Sequence, residues 1–487
     1  MEIELKLALQ PGQSKKIRRH PWLHHIKPTL RTLHSIYFDT PGFDLMHRHI
    51  ALRLRKVGKQ WIQTLKAETQ SVGVLTSRPE WEIELQSGSH PEFSVLPDAA
   101  GKLLAGIKLK HIQPVFITEF ERTTWFIERD GHAAELALDR GIVRAGEQCQ
   151  DICEVEIELQ SGHAEFLFDV ALQLLQHVPL HVEPRSKAER GYILCGAIHP
   201  TPAKANYPVI RKDQSPTEVC QTLIRSALIQ MTANMPGFQD NADDTEYLHQ
   251  LRIALRRLQT AVMLAKSLKQ PTPAWYPSLR TCMRSLNPAR DWDVFLYQTL
   301  PGIDNVDAAA LQRIRHAATA ARRQTQTMLN QPAMTEMILD IGRGLMASPN
   351  SPPSSPDARA WSQALLEQRW QSLHKRCRHF FSLNAEDRHI ARIAAKKMRY
   401  LSEAFAPLHG KSAHDFIAAL SALQDDLGKE NDHHIGIQLL RTVPKQSATL
   451  GFELGRMSGI LEAEITRHHK QSSQGWQQLS DTKKFWR

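Results

Sequence analysis

No run of about 18 apolar residues occurs in this 487-residue chain, so no membrane-spanning helix is expected. Nor does a basic stretch followed by an apolar one lead the chain. Met1 runs directly into a strand-like segment, so no secretory signal is expected. Cysteine is sparse and scattered: Cys149, Cys153, Cys195, Cys220, Cys282 and Cys377, with no CxxC pair. That spacing implies no zinc site and reads as reduced thiols in a cytoplasmic protein. A DNA- or RNA-binding motif is also missing, and aromatic residues are not interleaved with the basic clusters as stacking platforms would be. Nucleic acid is therefore disfavoured as a partner.

What remains is a composition of ordinary globular type, 41% hydrophobic and 23% charged, in a chain long enough for two or three domains. The net charge of +10 is unevenly placed. Residues 1–200 hold 24 Lys+Arg against 25 Asp+Glu, whereas the remainder holds 37 against 26. A polyanionic partner is expected for the C-terminal part.

Up to about residue 198 the hydrophobic pattern has period two, as in EIELKL at 2–7, ALRLR at 51–55, EWEIEL at 80–85, AELALD at 134–139 and EVEIEL at 154–159. These are strands of an antiparallel sheet or barrel. One helical stretch, Ala164 to Val178, follows them. HPTPAKANYP at 199–208 has three prolines and no period, and sits in a linker placed at 199–211. From 212 to 487 the period becomes helical, interrupted by the Pro/Ser-rich SPNSPPSSPD at 348–357. The flanking halves are alike: HQLRIALRRL at 249–258 matches HIARIAAKKM at 389–398, and LNPARDWDV at 286–294 matches LGKENDHHI at 427–435. Shifts of 140 and 141 predict a duplicated unit, two similar helical bundles at about 212–347 and 358–487.

The strands carry unusual charge. Alternate side chains share a face, so Glu2, Glu4 and Lys6 project together, as do Arg53 with Arg55, Glu80 with Glu82 and Glu84, and Glu154 with Glu156 and Glu158. Like charges along one strand repel. On a single strand, cross-strand ion pairs on a solvated face would explain this; on several strands at once, divalent metal ions for the carboxylates and a phosphate chain for the basic residues explain it better.

Taken in order, EIELK, YFDT at 37–40, ALRLR, TLKAETQSVGVLTSRPEWEIEL at 64–85, FERTTW at 120–125, ALDRG at 137–141, EVEIELQSG at 154–162 and SKAERGY at 186–192 resemble the CYTH domain of the triphosphate tunnel metalloenzymes. The resemblance spans residues 1–198 and implies an eight-stranded antiparallel barrel whose charged faces turn inward. The fold class is then α+β, a tunnel barrel followed by an all-α domain. It further implies hydrolysis of triphosphate compounds with Mg2+ or Mn2+. By motif position Glu2, Glu4, Asp139, Glu156 and Glu158 would hold metal, and Lys6, Arg53, Arg55, Lys66, Arg122 and Lys187 would hold phosphate oxygens. Glu82 and Glu84 would hold a second metal or orient water.

In the helical half, His249, Arg252 and Arg256 share a helix face with Arg257 at its edge, and His389, Arg392, Lys396 and Arg399 repeat the pattern with Lys397 adjacent. A basic face on an amphipathic helix is usually just solvated; its recurrence in both halves argues otherwise. HQLRIALRRL, LNPARDWDV, HIARIAAKKMRY and LQDDLGKENDHHI resemble the CHAD domain, which implies binding of inorganic polyphosphate. That role is carried onto these residues and Arg290. Asp291, Asp293 and Asp432 would pair with these cations or hold a metal, and pairing is favoured. His433 and His434 diverge on a helix and are discounted as a metal pair. Inorganic triphosphate is the favoured substrate; adenylate cyclase, thiamine triphosphatase and a non-catalytic polyphosphate-granule protein are the alternatives.

Overall fold

The computed structural model describes residues 1–67, 70–211, 213–241, 243–346, 357–444 and 447–487. Most of the Pro/Ser-rich segment at 348–357 lies outside them; Asp357 is within, its side chain capping the helix Ala358–Arg376. Contacts divide the chain into two units, and each is described by itself. One comprises Met1–Ala203, Met231–Gly237 and Asn330–Ala347, the other Lys204–Gln230, Phe238–Leu329 and Ser348–Arg487.

The first unit is built on one antiparallel sheet. Its strands are β1 (Glu2–Ala8), β2 (Thr29–Asp39), β3 (Ala51–Val57), β4 (Gln60–Lys66), β5 (Gln70–Val72), β6 (Leu75–Arg78), β7 (Glu80–Leu85), β8 (Gln113–Arg129), β9 (His132–Ala145), β10 (Gln148–Ser161) and β11 (His181–Val182). The neighbour order is β5-β6-β1-β10-β9-β8-β2-β3-β4-β7, with β11 beside β1. Tight turns set the registers. Asp130 and Gly131, both at positive φ, join β8 to β9 between the paired Arg129 and His132, as a two-residue hairpin of primed type requires.

β6 and β7 stand near opposite ends of this order yet are adjacent in sequence, separated by Pro79 alone. Before it, Arg78 pairs with Glu2 of β1; after it, Glu80 pairs with Lys66 of β4. Proline has no N–H for a ladder, so it marks where the strand changes partner, and its carbonyl accepts from Ala67 N at 3.1 Å. The sheet thus curls until one bent strand serves both edges. With β6 and β7 counted as one and the short β5 and β11 left as additions beside β6 and β1, the curled sheet has the eight strands expected.

Period two decides what faces in. Leu5 and Leu7 of β1 and Val155 and Ile157 of β10 turn outward and are fully buried beneath the helix Glu165–Leu175, whose Phe166, Leu167, Val170 and Leu174 form its apolar face. The helix Pro332–Met346 packs on that helix, and Gly342 leaves room for the Phe168 ring, which an added Cβ would meet at 2.4 Å. By residue number this helix was expected in the first helical repeat; its contacts place it with the barrel. One end of the barrel is closed by the helix Lys187–Leu194, capped by Ser186, with Tyr192 against Phe116.

The second unit is helical. HQLRIALRRL lies on the helix Thr245–Ser267, HIARIAAKKM on Ala385–His409, LNPARDWDV at and within Asn287–Val294, and LGKENDHHI within the 30-residue helix Ala413–Thr442. The repeats do not keep separate cores. One cluster joins Val219, Leu223 and Leu264 to Trp370, Phe405 and Phe416; another joins Trp292 and Phe295 to Ile437, Leu440 and Leu454. The linker 199–211 has no regular structure but is pinned within each unit, Ala203 by two hydrogen bonds with Asn234 and Tyr207 by one to Glu403. All six cysteines are free, and among the described residues no helix is long and apolar enough to cross a membrane.

Candidate functional site

The barrel encloses a cavity of about 780 Å³ lined by eight Lys or Arg and eight Glu. The strands alternate these charges around the ring. Glu2, Glu4 and Lys6 come from β1, Arg53 and Arg55 from β3, Lys66 from β4, Glu82 from β7, Arg122 from β8, Glu156 and Glu158 from β10, and Lys187 from the closing helix. Every tunnel residue expected from the sequence is therefore in the lining except Asp139 and Glu84. Asp139 is fully buried behind it, and Glu84 is exposed at the far end of β7.

At one end the charges are matched. Asp139 receives a forked pair of hydrogen bonds from Arg122, Nε to Oδ1 at 2.7 Å and Nη2 to Oδ2 at 2.6 Å. Lys187 Nζ reaches Asp139 and Glu156 at 2.7 Å each and also contacts Glu154, which Arg190 holds at 2.7 Å. Arg122 contacts Glu156 too. Three carboxylates thus meet three cations, and the Glu156 carboxyl is held well below its usual range, burial notwithstanding, by Lys187 and Arg122. Oxygens of Asp139, Glu154 and Glu156 lie within 4.8 Å of one another, a spacing that suits a metal, but Lys187 already occupies them.

Elsewhere the charges are not matched. Glu2 is held by Lys66 and Arg78, Glu4 by Arg78, Glu80 by Lys66, and Glu82 by Arg53. Glu158 has no ion-pair or hydrogen-bond partner among the described residues. Burial and then the Glu2 carboxylate, with Glu80 and Glu135 beyond it, push its carboxyl up to about 7. Clustered carboxylates are the donor set a hard divalent cation takes, so the unpaired Glu158, together with Glu2 and Glu4 once Lys66 and Arg78 yield them, fits a Mg2+ or Mn2+ ion. The reverse holds at Arg55. Among the described residues its one hydrogen bond goes to Ser35 at 3.1 Å, and burial with Arg53 and Arg122 pushes the guanidinium down to about 9. The tunnel therefore offers a place for a cation at Glu158 and a place for an anion at Arg55.

Arg78, Arg31, Glu80, Glu135 and Tyr37 also line the cavity, outside the residues expected to act. Carrying period two back across Pro79 from Glu82 reaches Glu80, Arg78 and Thr76, so alternation could have found Arg78. Tyr37 is less legible: its hydroxyl faces Arg53 and Arg55, which draw its pKa down against burial.

The helical unit gathers a second basic site. Arg252 and Arg256 of one repeat meet Arg392 and Lys396 of the other, with Arg290 and His249 beside them. The Lys396 ammonium is pushed down to about 6 by burial and then by Arg392 and Arg256. Burial and then Arg256 and Arg290 push Arg252 down to about 10. Burial and Arg290 hold the His249 imidazole below its usual range. A pocket of about 270 Å³ adjoins, lined by Arg252, Arg256, Arg280 and Arg284 with no acidic residue. Arg280 and Arg284 escaped the sequence reading because their helix, Tyr276–Ser285, lies outside the repeated motifs.

Four expected residues stand apart. Arg257 is buried and bonded to Gln230, Ser226 and the Asn206 carbonyl. Arg399 pairs with Glu403 at 2.8 Å, while Lys397 and His389 are exposed. Of the acids, Asp432 lies 4.0 Å from Arg392 and Asp291 stands in the field of Arg252 and Arg290, whereas Asp293 pairs with Arg322 at 2.7 Å, a cation outside those expected.

Comparison with known proteins divides the chain along its sequence. Residues 1–192 match the family model of the CYTH domain, and residues 222–441 match that of the CHAD domain. An inorganic triphosphatase of Haemophilus influenzae is 32% identical over 203 residues, which is 40% of this chain and 54% of that protein. This chain thus spans about half the length of that curated relative. The crystal structure of a CHAD domain from the plant Ricinus communis superposes with a TM-score of 0.54 at 27% identity, covering 58% of this chain and 98% of that one.

Proposed function

We propose that this chain, whose residues 1–192 match the CYTH domain model and 222–441 the CHAD domain model, hydrolyses inorganic triphosphate to pyrophosphate and phosphate in the barrel, and binds inorganic polyphosphate through its helical unit. One observation carries the enzymatic half: the tunnel has an unmet need for a cation at Glu158 and for an anion at Arg55. A phosphate chain with its divalent ion meets both. The inorganic triphosphatase of H. influenzae supports the same substrate class. Among the described residues the aromatic rings of the lining are His49, Tyr37 and Tyr192, and Tyr192 is bonded to Asp39, so the lining is dominated by charge rather than by faces for a base.

In this reading Arg53, Arg55 and Lys66 bind the triphosphate, the arginines by forked donation and the lysine as a point charge. Lys6 is buried, donates to the Arg185 carbonyl, and fixes the chain entering the closing helix. Lys187 and Arg122 hold the matched wall at Asp139, Glu154 and Glu156, so the phosphate path is rigid on that side. Glu82, half-exposed and hydrogen-bonded by Thr64 at 3.2 Å, is placed to orient a water for in-line attack on a terminal phosphorus. Glu2, Glu4 and Glu158 would hold Mg2+ or Mn2+, which when bound neutralises phosphate charge and polarises its oxygens. The basic residues then stabilise charge gathering on the leaving pyrophosphate.

The polyphosphate reading rests on Arg252, Arg256, Arg290, Arg392 and Lys396 crowding one site with too few acids to balance them. A polyanion relieves their repulsion. A phosphate-release screen over tripolyphosphate, ATP, thiamine triphosphate and long polyphosphate, with Mg2+ and Mn2+, tests the whole. Preference for tripolyphosphate is expected; preference for ATP, or cyclic AMP as product, would overturn the substrate assignment.

A further inference from the structure

Arg78 has no part in the reading so far, yet it holds two of the three carboxylates that reading assigns to the metal, Glu2 and Glu4. Its Nε donates to Glu2 Oε2 at 2.7 Å and its Nη2 to Glu4 Oε1 at 2.7 Å. The side chain is only 15% exposed and lines the cavity. Lys66 completes the arrangement, with Nζ at 2.8 and 3.0 Å from the two Glu2 oxygens. Both Glu2 oxygens and Glu4 Oε1 are engaged by these cations, so a divalent ion bound by Glu2 and Glu4 must displace them at least from Glu2. Guanidinium and metal therefore compete for the same lone pairs, and two positive charges a few ångströms apart in a buried site repel strongly. A guanidinium released there remains inside the cavity, among Lys66, Arg53 and the space the phosphate chain would fill.

We propose that Arg78 is a built-in placeholder: it neutralises Glu2 and Glu4 until a divalent ion takes their oxygens, and the freed guanidinium then donates to the triphosphate. This rests on the reading of Glu2 and Glu4 as metal ligands. Metal alone must displace Arg78, and triphosphate alone must compete with Glu2 and Glu4 for it. Each ligand thus lowers the cost of binding the other, and the coupling is reciprocal. The same logic gives Arg78 opposite signs for the two ligands, which a merely structural residue would not have.

The test uses the full chain and the Arg78→Met variant. Mn2+ is titrated alone, with free Mn2+ read by electron paramagnetic resonance, and tripolyphosphate is titrated separately in chelator by calorimetry. The variant is expected to bind Mn2+ about ten-fold or more tightly than wild type, and tripolyphosphate about ten-fold more weakly. A misfolded tunnel would lose both ligands, so a gain in Mn2+ affinity cannot come from damage. Unchanged or weakened Mn2+ binding in a variant with wild-type circular dichroism would overturn the proposal. Glu4→Gln separates the two levels. Should it lose Mn2+ binding while Arg78→Met shows no gain, only the placeholder fails. Should it leave Mn2+ binding intact, the ligand assignment fails with it.

Discussion

Replacing Lys396 by methionine should uncouple polyphosphate binding from proton uptake. In the free protein this ammonium is held down to about 6 by burial and by the charges of Arg392, Arg256 and Arg252, with Asp432 opposing them. At a pH near 7.5 only about 3% of such a group is charged. A bound polyanion favours the charged form, so Lys396 should take up about one proton per binding event at that pH. The bound state then holds more protons than the free state wherever pH lies between the two pKa values. Affinity must therefore rise as pH falls from about 8.5 toward 6, by up to about ten-fold per unit, and level off below 6, where the free lysine is already charged. The His249 imidazole, held below its usual range by burial and Arg290, is present in wild type and variant alike. The phosphate chain's own terminal groups titrate in wild type and variant alike, so the difference between the two isolates the lysine. Calorimetry in two buffers of different ionisation heat counts the protons directly. If Lys396→Met takes up as many protons as wild type near pH 7.5, the crowded-cation account of this site is wrong.

Two further outcomes test the fold that positions the sites. A Cβ at Gly141 would lie 2.0 Å from the Glu119 carbonyl and 2.5 Å from Phe120 across the β8–β9 ladder, so Gly141→Ala should destabilise the barrel by about 3 kcal/mol, seen as a lowered melting temperature of the barrel transition. Arg322→Met removes the partner of Asp293, 4% exposed, and should cost about 3–5 kcal/mol, because the carboxylate is left buried and unpaired; an Arg322→Met, Asp293→Asn double variant should recover part of that loss in chemical denaturation.

The strand half was legible because its code is simple. Period two and the sign of each charge place Glu2, Glu4, Arg53, Arg55, Glu156 and Glu158 on one face, and closing the sheet makes that face a tunnel. Asp139 and Lys187 show where such reading stops. Both were expected beside substrate or metal, but the one is behind the wall and the other is saturated by three carboxylates. Whether a charge is free or spent depends on cross-strand neighbours, which a single strand does not reveal. Arg78 was legible in principle, but Pro79 interrupts its alternation and hides that one bent strand serves both edges of the sheet. In the helical half, the repeat located Arg252, Arg256, Arg392 and Lys396 correctly on matching turns. It could not show that the two copies share cores and bring those residues to one site, nor that Arg257 turns away to bond with Gln230 and Ser226. Helical spacing gives a residue's face, not what that face meets. The helix Pro332–Met346 is the clearest case, since nothing in its own sequence says that its small Gly342 accommodates Phe168 of the barrel unit.

The most direct measurement is phosphate release from tripolyphosphate by the full chain in Mg2+ or Mn2+, beside Glu4→Gln and Lys66→Ala. The account predicts turnover by the wild type that chelator abolishes, and a loss of about 100-fold or more in kcat/KM for each variant, with wild-type circular dichroism. Metal-dependent release left intact in either variant would contradict the assignment of the tunnel as the active site.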